Sequence, residues 1–498
     1  MNKTRNSRWI ITSVLLTTLH CFAGPKWSYP AMHIGDSLSN HQAVLNYFEE
    51  QPAEVKQADE LLFNVLSARK NASYADVATA PDLQKHCADS GRLLLGGPML
   101  GNLSPTGATV WVRTAKPAAV NVHVTVEGKE RTYGPVHSTA ASDLTALIPV
   151  TNVPANGAFP YRVSIDGQRV PQSQATNCVL RTCSEDAAHT RIVFGSCFHS
   201  RIGTRDLMGS ILQRKPQACL FIGDIAADDK RNHFGLLRLD YQLRDFHSAW
   251  RNLVAEVPVY AAWDDHDYYD NDVSGLPDGA SQADQQNLRT VFMSSWNNPS
   301  YGLPEQHKGI FFHTRLGAFD VIALDTRSLR GDKKSPHAYL GAEQMAWLKK
   351  TLLSCKGKFI ILSSGTMWSD TVSNGKDSWG VWDPQGREAL FSFIEEHKIP
   401  GVLLISGDRH GARGFKIPRP SGYTFYEFEP ASLGGWTGPG AGPGGAVQLF
   451  GILGTMAFGE FTCDTTSPDP TVTFNLRSQQ NNLLYELTLT RSQLTPKK

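Results

Sequence analysis

Four short apolar runs, at 192–194, 219–222, 257–262 and 402–405, each lead into a cluster of residues able to bind metal ions. The clusters are Ser196-Cys197-Phe198-His199, Gly223-Asp224, Trp263-Asp264-Asp265-His266-Asp267 and Gly407-Asp408-Arg409-His410-Gly411. A single Asp after a strand is commonly a turn or a helix cap. Four such ends in one chain call for a fold that gathers strand termini in one place. An α/β sheet does this, because its functional groups collect beyond the carboxyl ends of its strands. Further apolar runs at 321–324 and 359–362, with helical spacing at 341–354 and 387–397, extend the alternation of strand and helix.

The remainder of the 498 residues has a different texture, and the length argues for two or three domains. Residues 40–90 carry helical apolar spacing through Val44, Phe48, Val55, Leu61, Leu62 and Val65. From Leu93, short alternating runs at 108–113, 120–126, 146–150 and 160–165 are separated by Gly, Pro and Asn turns, as in a small antiparallel sandwich ending near Cys183. Alternating strands at 471–475 and 483–489 close the chain, and the Gly-rich stretch 434–445 is expected to be a surface loop. Hydrophobic residues make up 41% and charged residues 19%, enough for a buried core and too little charge for a disordered chain. The near balance of 48 Lys+Arg against 47 Asp+Glu, with no long basic run, argues against a nucleic-acid partner.

Lys3, Arg5 and Arg8 precede an apolar run at 9–19 that is too short to span a bilayer and is followed by Cys21-Phe22-Ala23. This predicts a signal peptide over 1–23 and an exported protein, periplasmic or secreted, with an uncut anchor as the alternative. No later apolar run reaches membrane-spanning length. Seven cysteines then remain, an odd number suited to an oxidising compartment; Cys178 and Cys183 are close enough to pair with each other or with Cys87, and Cys197 is expected to stay unpaired.

Chemistry is concentrated in the four clusters. Carboxylates suit hard cations, imidazole suits Zn or Fe, and a thiolate adds a soft donor. Three carboxylates around His266 would repel one another unless a cation neutralised them. In an extended segment residues i and i+2 share a side, so Cys197 and His199 could reach one ion. Trp368, Trp379, Trp382 and Trp436 could line an amphipathic pocket for a phospholipid or cell-wall phosphodiester, although ordinary core packing also accounts for them.

With Phe194-Gly195-Ser196-Cys197, Phe221-Ile222-Gly223-Asp224, Pro258-Val259-Tyr260 leading to Trp263-Asp264-Asp265-His266-Asp267, Leu324-Asp325-Thr326-Arg327, Asp377-Ser378-Trp379 and Ser406-Gly407-Asp408-Arg409-His410, the chain resembles the alkaline phosphatase D family of calcineurin-like metallophosphoesterases. The motifs span 191–411 in family order. The stretch Gly97-Pro98 through Trp111-Val112-Arg113-Thr114 resembles the small sandwich that family members carry in front. The resemblance implies an α/β fold with a layered αββα-type core; together with the helical spacing of the first part, which has no counterpart in the family, the expected division is a helical extension 24–90, a fibronectin type III-like β-sandwich 91–186 and a catalytic domain with C-terminal strands 187–498. It implies hydrolysis of phosphate mono- or diesters by metal-bound hydroxide, with Fe and Ca as the ions and Zn or Mn as alternatives.

Carried over by motif, Cys197, Asp224, Asp265, Asp408 and His410 are expected ligands, with Asp264 a further one. His266 is expected to protonate the leaving oxygen or hold the phosphate, with Asp267 orienting it, and Arg327 to clamp the phosphate. The chain departs from the family at Ala227, where members place an iron-binding Tyr, and Asp228 and Asp229 are the nearest polar residues. It also lacks a His in 363–368. His199 is the expected replacement donor, which would turn a thiolate–phenolate centre into a thiolate–imidazole one. A non-catalytic binding protein with a degenerate metal site is the alternative that Ala227 raises.

Overall fold

The computed structural model describes residues 37–175, 177–226, 228–230, 232–333, 335–440 and 447–497. The expected signal segment and Ala227 lie outside them. The N-terminal spacing forms four helices, Leu38–Tyr47, Ala53–Leu66, Tyr74–Thr79 and Pro81–Asp89. Ser37 and Ser73 cap two of them, Ser73 in a reciprocal box with Asp76, and Pro81 opens the fourth without a missing donor. Their apolar faces bury Val44, Val55, Leu62 and Val77 against Leu236, Leu239, Leu243 and Phe246 of helix Phe234–Phe246. Leu61 and Val65 lie at the margin of that cluster.

The alternating segments form two antiparallel sheets. One orders Leu94–Ser104, Gly107–Thr114 and Thr145–Val150; the other orders Lys129–Ser138, Ala118–Val126, Ala158–Ile165 and Gln168–Arg169, with Val179–Arg181 also pairing with Ala158–Ile165. Val120, Val122 and Val124 share a hydrophobic cluster with Val110, Val112 and Ile148 of the first sheet. That cluster continues into Ile192, Phe461 and Phe428, so apolar packing is unbroken past Cys183.

Two mixed sheets carry the strand ends of interest. In the six-stranded sheet Val259–Ala262, Ala218–Ile222 and His189–Gly195 run parallel, and Ala457–Asp464, Thr471–Ser478 and Leu483–Thr490 extend it antiparallel. In the seven-stranded sheet Phe319–Ala323, Phe359–Ser363, Val402–Ile405 and Thr424–Ala431 are parallel neighbours, flanked by Phe312–Leu316 on one side and by Gly411–Pro418 and Gln448–Ile452 on the other. The sheets meet through aromatic rings: Phe428 stacks on Phe474 at 4.3 Å and meets Phe461 edge-on at 5.4 Å, while Phe474 also stacks on Phe450. The predicted helices are present as Gly341–Ser354 and Pro384–Glu396. The whole is a mixed α/β fold with several sheets. Among the described residues no helix is long and apolar enough to cross a membrane.

Three sequence expectations change here. None of the described cysteines forms a disulfide: Cys178 bonds with the Tyr161 hydroxyl, Cys183 donates to the Ser184 carbonyl, and Cys87 is buried among the N-terminal helices. Trp368 and Trp379 do not face solvent. They are fully buried, with rings 4.6 Å apart, in the core beneath helix Pro384–Glu396. The described start of the Gly-rich stretch is packed inward, since the Gly434 N–H donates to the Cys197 carbonyl and Trp436 is buried beside Cys197.

Truncating Phe474 would empty the space between the two mixed sheets. Phe474→Ala is expected to cost about 3–5 kcal/mol, read as a lower urea midpoint of unfolding by tryptophan fluorescence.

Candidate functional site

Strand His189–Gly195 ends in a segment that is not extended. Cys197 has φ 57° and His199 φ 48°, so the simple i, i+2 argument for their convergence fails. A different device brings them together. The Cys197 N–H donates to the Gly223 carbonyl, and the Phe198 and His199 N–H groups both donate to the Asp224 carbonyl, fastening this loop to the end of Ala218–Ile222. Donor atoms of Cys197, His199, Asp224 and His410 all lie within 4.8 Å of one another. The Cys197 Sγ is 3.5 Å from Asp224 Oδ2, and the Nε2 atoms of His199 and His410 are 3.3 Å apart. Asp224, Asp408 and His410 also have positive φ, at 57°, 74° and 38°. Such conformations cost a non-glycine residue about 1–3 kcal/mol and persist where surrounding structure enforces them, commonly at functional sites.

A second cluster adjoins the first. Asp264, Asp265 and Asp408 bring carboxylate oxygens within 4.8 Å of one another, and Asp224, Asp265 and His266 form a group of the same size. Gly223 makes this approach feasible: it has φ 104°, and a Cβ there would lie 2.4 Å from the Cβ of Asp264.

Asp267 does not orient His266. Its Oδ2 accepts from the N–H groups of Asp224 (2.6 Å) and Asp264 (3.0 Å), and its Oδ1 accepts from Ile225 (3.3 Å), so it ties together the loops that carry Asp224 and Asp264. His266 is held by Asp229, 2.7 Å from its Nδ1. Arg327 is also not placed as a clamp at a cleft surface. It is fully buried, with Nε on Asp264, Nη1 2.9 Å from Asp377, and Nη2 3.6 and 3.8 Å from Asp265 and Asp408. An arginine buried among four carboxylates acts as their counter-ion.

Several supporting residues escaped the sequence reading. Asp228 is buried and close to both His199 and His266. Asp325 accepts from the Trp263 indole at 2.8 Å and from the Arg327 N–H. Glu427 accepts from the Ser406 hydroxyl and from the N–H groups of Trp368 and Ser369, joining the loop before Asp408 to the loop after Phe359–Ser363. Asp377 and Asp325 had a visible signal in the quoted motifs and Asp228 in its place beside Ala227, whereas Glu427 had none.

Burial and mutual repulsion govern the electrostatics. Burial, reinforced by neighbouring aspartates, pushes the Asp224 and Asp408 carboxyls well above their ordinary range, Asp264 to about 6 and Asp267 to about 7. Asp265 goes the other way: burial is outweighed by Arg327 and His266, which bring it to about 2. For His266, burial is overcome by Asp224 and by the bond to Asp229, and the ring rises to about 11. His410 falls to about 4 through burial and the charge of His266. One oxygen each of Asp224, Asp264, Asp265 and Asp408 is buried and accepts no hydrogen bond. An ionised buried acceptor left so is costly, and cations bound by these oxygens, the thiol and the imidazoles would relieve it. The residues present therefore fit metal ions.

A mixed α/β fold whose parallel strands deliver buried carboxylates, imidazoles and a thiol to one point defines a class of site suited to polar, charged substrates. Residues 192–439 match the model of the PhoD-like phosphatase family, and the chain belongs to that family through this part. Residues 91–182 match a domain of unknown function (DUF7800). Alkaline phosphatase D of Bacillus subtilis (strain 168) is 26% identical over 224 residues, 38% of this chain; the match spans only 36% of that relative's length. The solved structure of PhoD superposes with a TM-score of 0.64 at 16% identity, covering 81% of this chain and 91% of that one, which establishes a shared fold.

Gly223→Ala would force a Cβ against Asp264 at a positive φ. The variant is expected to lose bound metal, measured by elemental analysis, with destabilisation of about 1–3 kcal/mol.

Proposed function

We propose that this chain is an exported, metal-dependent phosphoesterase that hydrolyses phosphate mono- or diesters. The observation that carries this reading is the pair of adjoining clusters, Cys197/His199/Asp224/His410 and Asp264/Asp265/Asp408, with buried carboxylate oxygens that accept no hydrogen bond. Membership of the PhoD-like phosphatase family supports it. In this reading Cys197, His199, Asp224 and His410 hold one ion, and Asp224, Asp264, Asp265 and Asp408 a neighbouring one. Fe and Ca follow from the family resemblance, with Zn or Mn as alternatives that the thiolate–imidazole set accommodates. Bound cations supply the charge that lowers the pKa of water and neutralises the phosphoryl oxygens.

The protein's own groups do the rest. His266, oriented by Asp229 2.7 Å from its Nδ1, donates a proton to the leaving oxygen. Arg327 holds Asp264, Asp265 and Asp408 in register from behind. Asp267 fixes the Asp224 and Asp264 loops by accepting their N–H groups. We assign the chemistry to a layered αββα-type catalytic domain over 187–498, preceded by a β-sandwich over 91–186 and a helical extension over 24–90. Export rests on the basic–apolar pattern of 1–23. Of the four tryptophans behind the lipid-directed alternative, Trp368 and Trp379 are buried in the core, whereas Trp436 lies beside His199 and His410.

Asp265→Asn and His410→Ala are each expected to abolish hydrolysis of aryl phosphate mono- and diesters while the circular dichroism spectrum is retained. Near wild-type turnover with metal still bound would remove them from the ligand set. His266→Ala should keep its metal and lose about 10²- to 10⁴-fold in rate; loss of metal would instead make His266 a ligand. His199→Ala should lose metal, and the iron-loaded wild type should show no strong phenolate absorption band. Unchanged metal content in His199→Ala would sink the assignment of that residue.

A further inference from the structure

A second set of donors lies at the opposite end of the seven-stranded sheet. Asp320 stands near the start of Phe319–Ala323, whereas Asp325 of the candidate site follows its end; five residues of strand put about 16 Å between them. His313 lies on the antiparallel neighbour Phe312–Leu316, on the same face. Cys355 caps the C-terminus of helix Gly341–Ser354, where the helix dipole favours positive charge. A ring nitrogen of His313, a carboxylate oxygen of Asp320 and the Cys355 Sγ lie within 4.8 Å of one another. Asp320 is buried and bridges the other two elements: Oδ1 is 2.8 Å from His313 Nε2, and Oδ2 accepts from the N–H groups of Lys356 and Gly357 just after Cys355. His313 is 30% exposed, so an ion in solution can reach the cluster.

We propose that His313, Asp320 and Cys355 form a second transition-metal site, separate from the phosphoesterase centre, for a borderline divalent cation such as zinc. Thiolate, imidazole and carboxylate are the three side-chain donors zinc takes. Binding exchanges one proton for the ion: the Cys355 thiol bond to hydrogen breaks, a sulfur–metal bond forms, and the proton goes to solvent.

Two surrounding features refine the reading. Arg315 lies 3.6 Å from Asp320 Oδ2, the oxygen away from His313, and its Nε and Nη2 donate to the carbonyls of Gly317 and Glu185, leaving Oδ1 on the metal side. Burial, reinforced by Asp320, pushes the Cys355 thiol up to about 12. The thiol donates to the Thr351 carbonyl at 3.4 Å, and zinc, which binds the thiolate, takes the place of that proton.

The test uses full-length protein dialysed to saturation with Zn²⁺ and freed of unbound ion. Wild type should hold one zinc equivalent more than either Cys355→Ser or His313→Gln, and both variants should hydrolyse phosphate esters at the wild-type rate. With Co²⁺ in place of zinc, the spectrum of wild type minus Cys355→Ser should show a thiolate-to-cobalt charge-transfer band. Equal zinc content in wild type and His313→Gln, or a featureless cobalt difference spectrum, would overturn the proposal. The comparison is independent of the phosphoesterase reading, because the catalytic clusters are common to all three proteins and cancel.

Discussion

Five aspartates gathered in one site, the buried Asp224, Asp264, Asp265 and Asp267 and the half-buried Asp408, set the terms for everything around them. Like charges at this spacing cannot all ionise in a poorly solvated interior without compensation. The chain compensates in three ways. Arg327 gives a permanent positive charge at the back of Asp264, Asp265 and Asp408; backbone N–H groups take up Asp267; and His266 carries a proton beside Asp224 and Asp265. What these leave unsatisfied is one oxygen on each of four aspartates. The deficit falls within one site, where bound cations would relieve it.

The same constraint explains the strained backbone. Cys197, His199, Asp224, Asp408 and His410 all have positive φ, and all follow strand ends. A strand's alternation sends successive side chains to opposite faces. Turning the chain sharply after each strand lets several loops aim donors at one point. The cost is met by hydrogen bonds between loops, such as the two that the Asp224 carbonyl accepts from Phe198 and His199, and by the packing of Trp263 and Trp436 around the site.

Much of this was legible in the sequence. The apolar runs that end in Cys197, Asp224, Asp264 and Asp408 are strands, and the helices at 341–354 and 384–396 are where the spacing put them, because periodicity reports local structure directly. The convergence of His199 with Cys197 was also anticipated, though for a different geometric reason. What sequence could not supply was the partner of each polar side chain. Asp267 adjoins His266 in the chain, yet the helical turn Asp265–Tyr268 points its carboxylate back at three N–H groups and leaves His266 to Asp229, 37 residues earlier. The buried Trp368 and Trp379 illustrate the same limit: Ser369-Asp370 follows the first and Asp377-Ser378 precedes the second, while their neighbours in space include Tyr339 and Phe391.

Asp267 and Arg327 show how a motif residue can matter without meeting a substrate. Both lie in segments shared with a family of phosphatases, and both act on the aspartates through the structure behind them. Removing Asp267 would leave three buried N–H groups without their acceptor and release the loops that carry Asp224 and Asp264; removing Arg327 would leave the carboxylates to repel one another. In each case the placement of the candidate donors is set by a residue outside their set, so a motif match alone cannot separate a candidate donor from the group that holds it in place. Only the direction of the hydrogen bonds does.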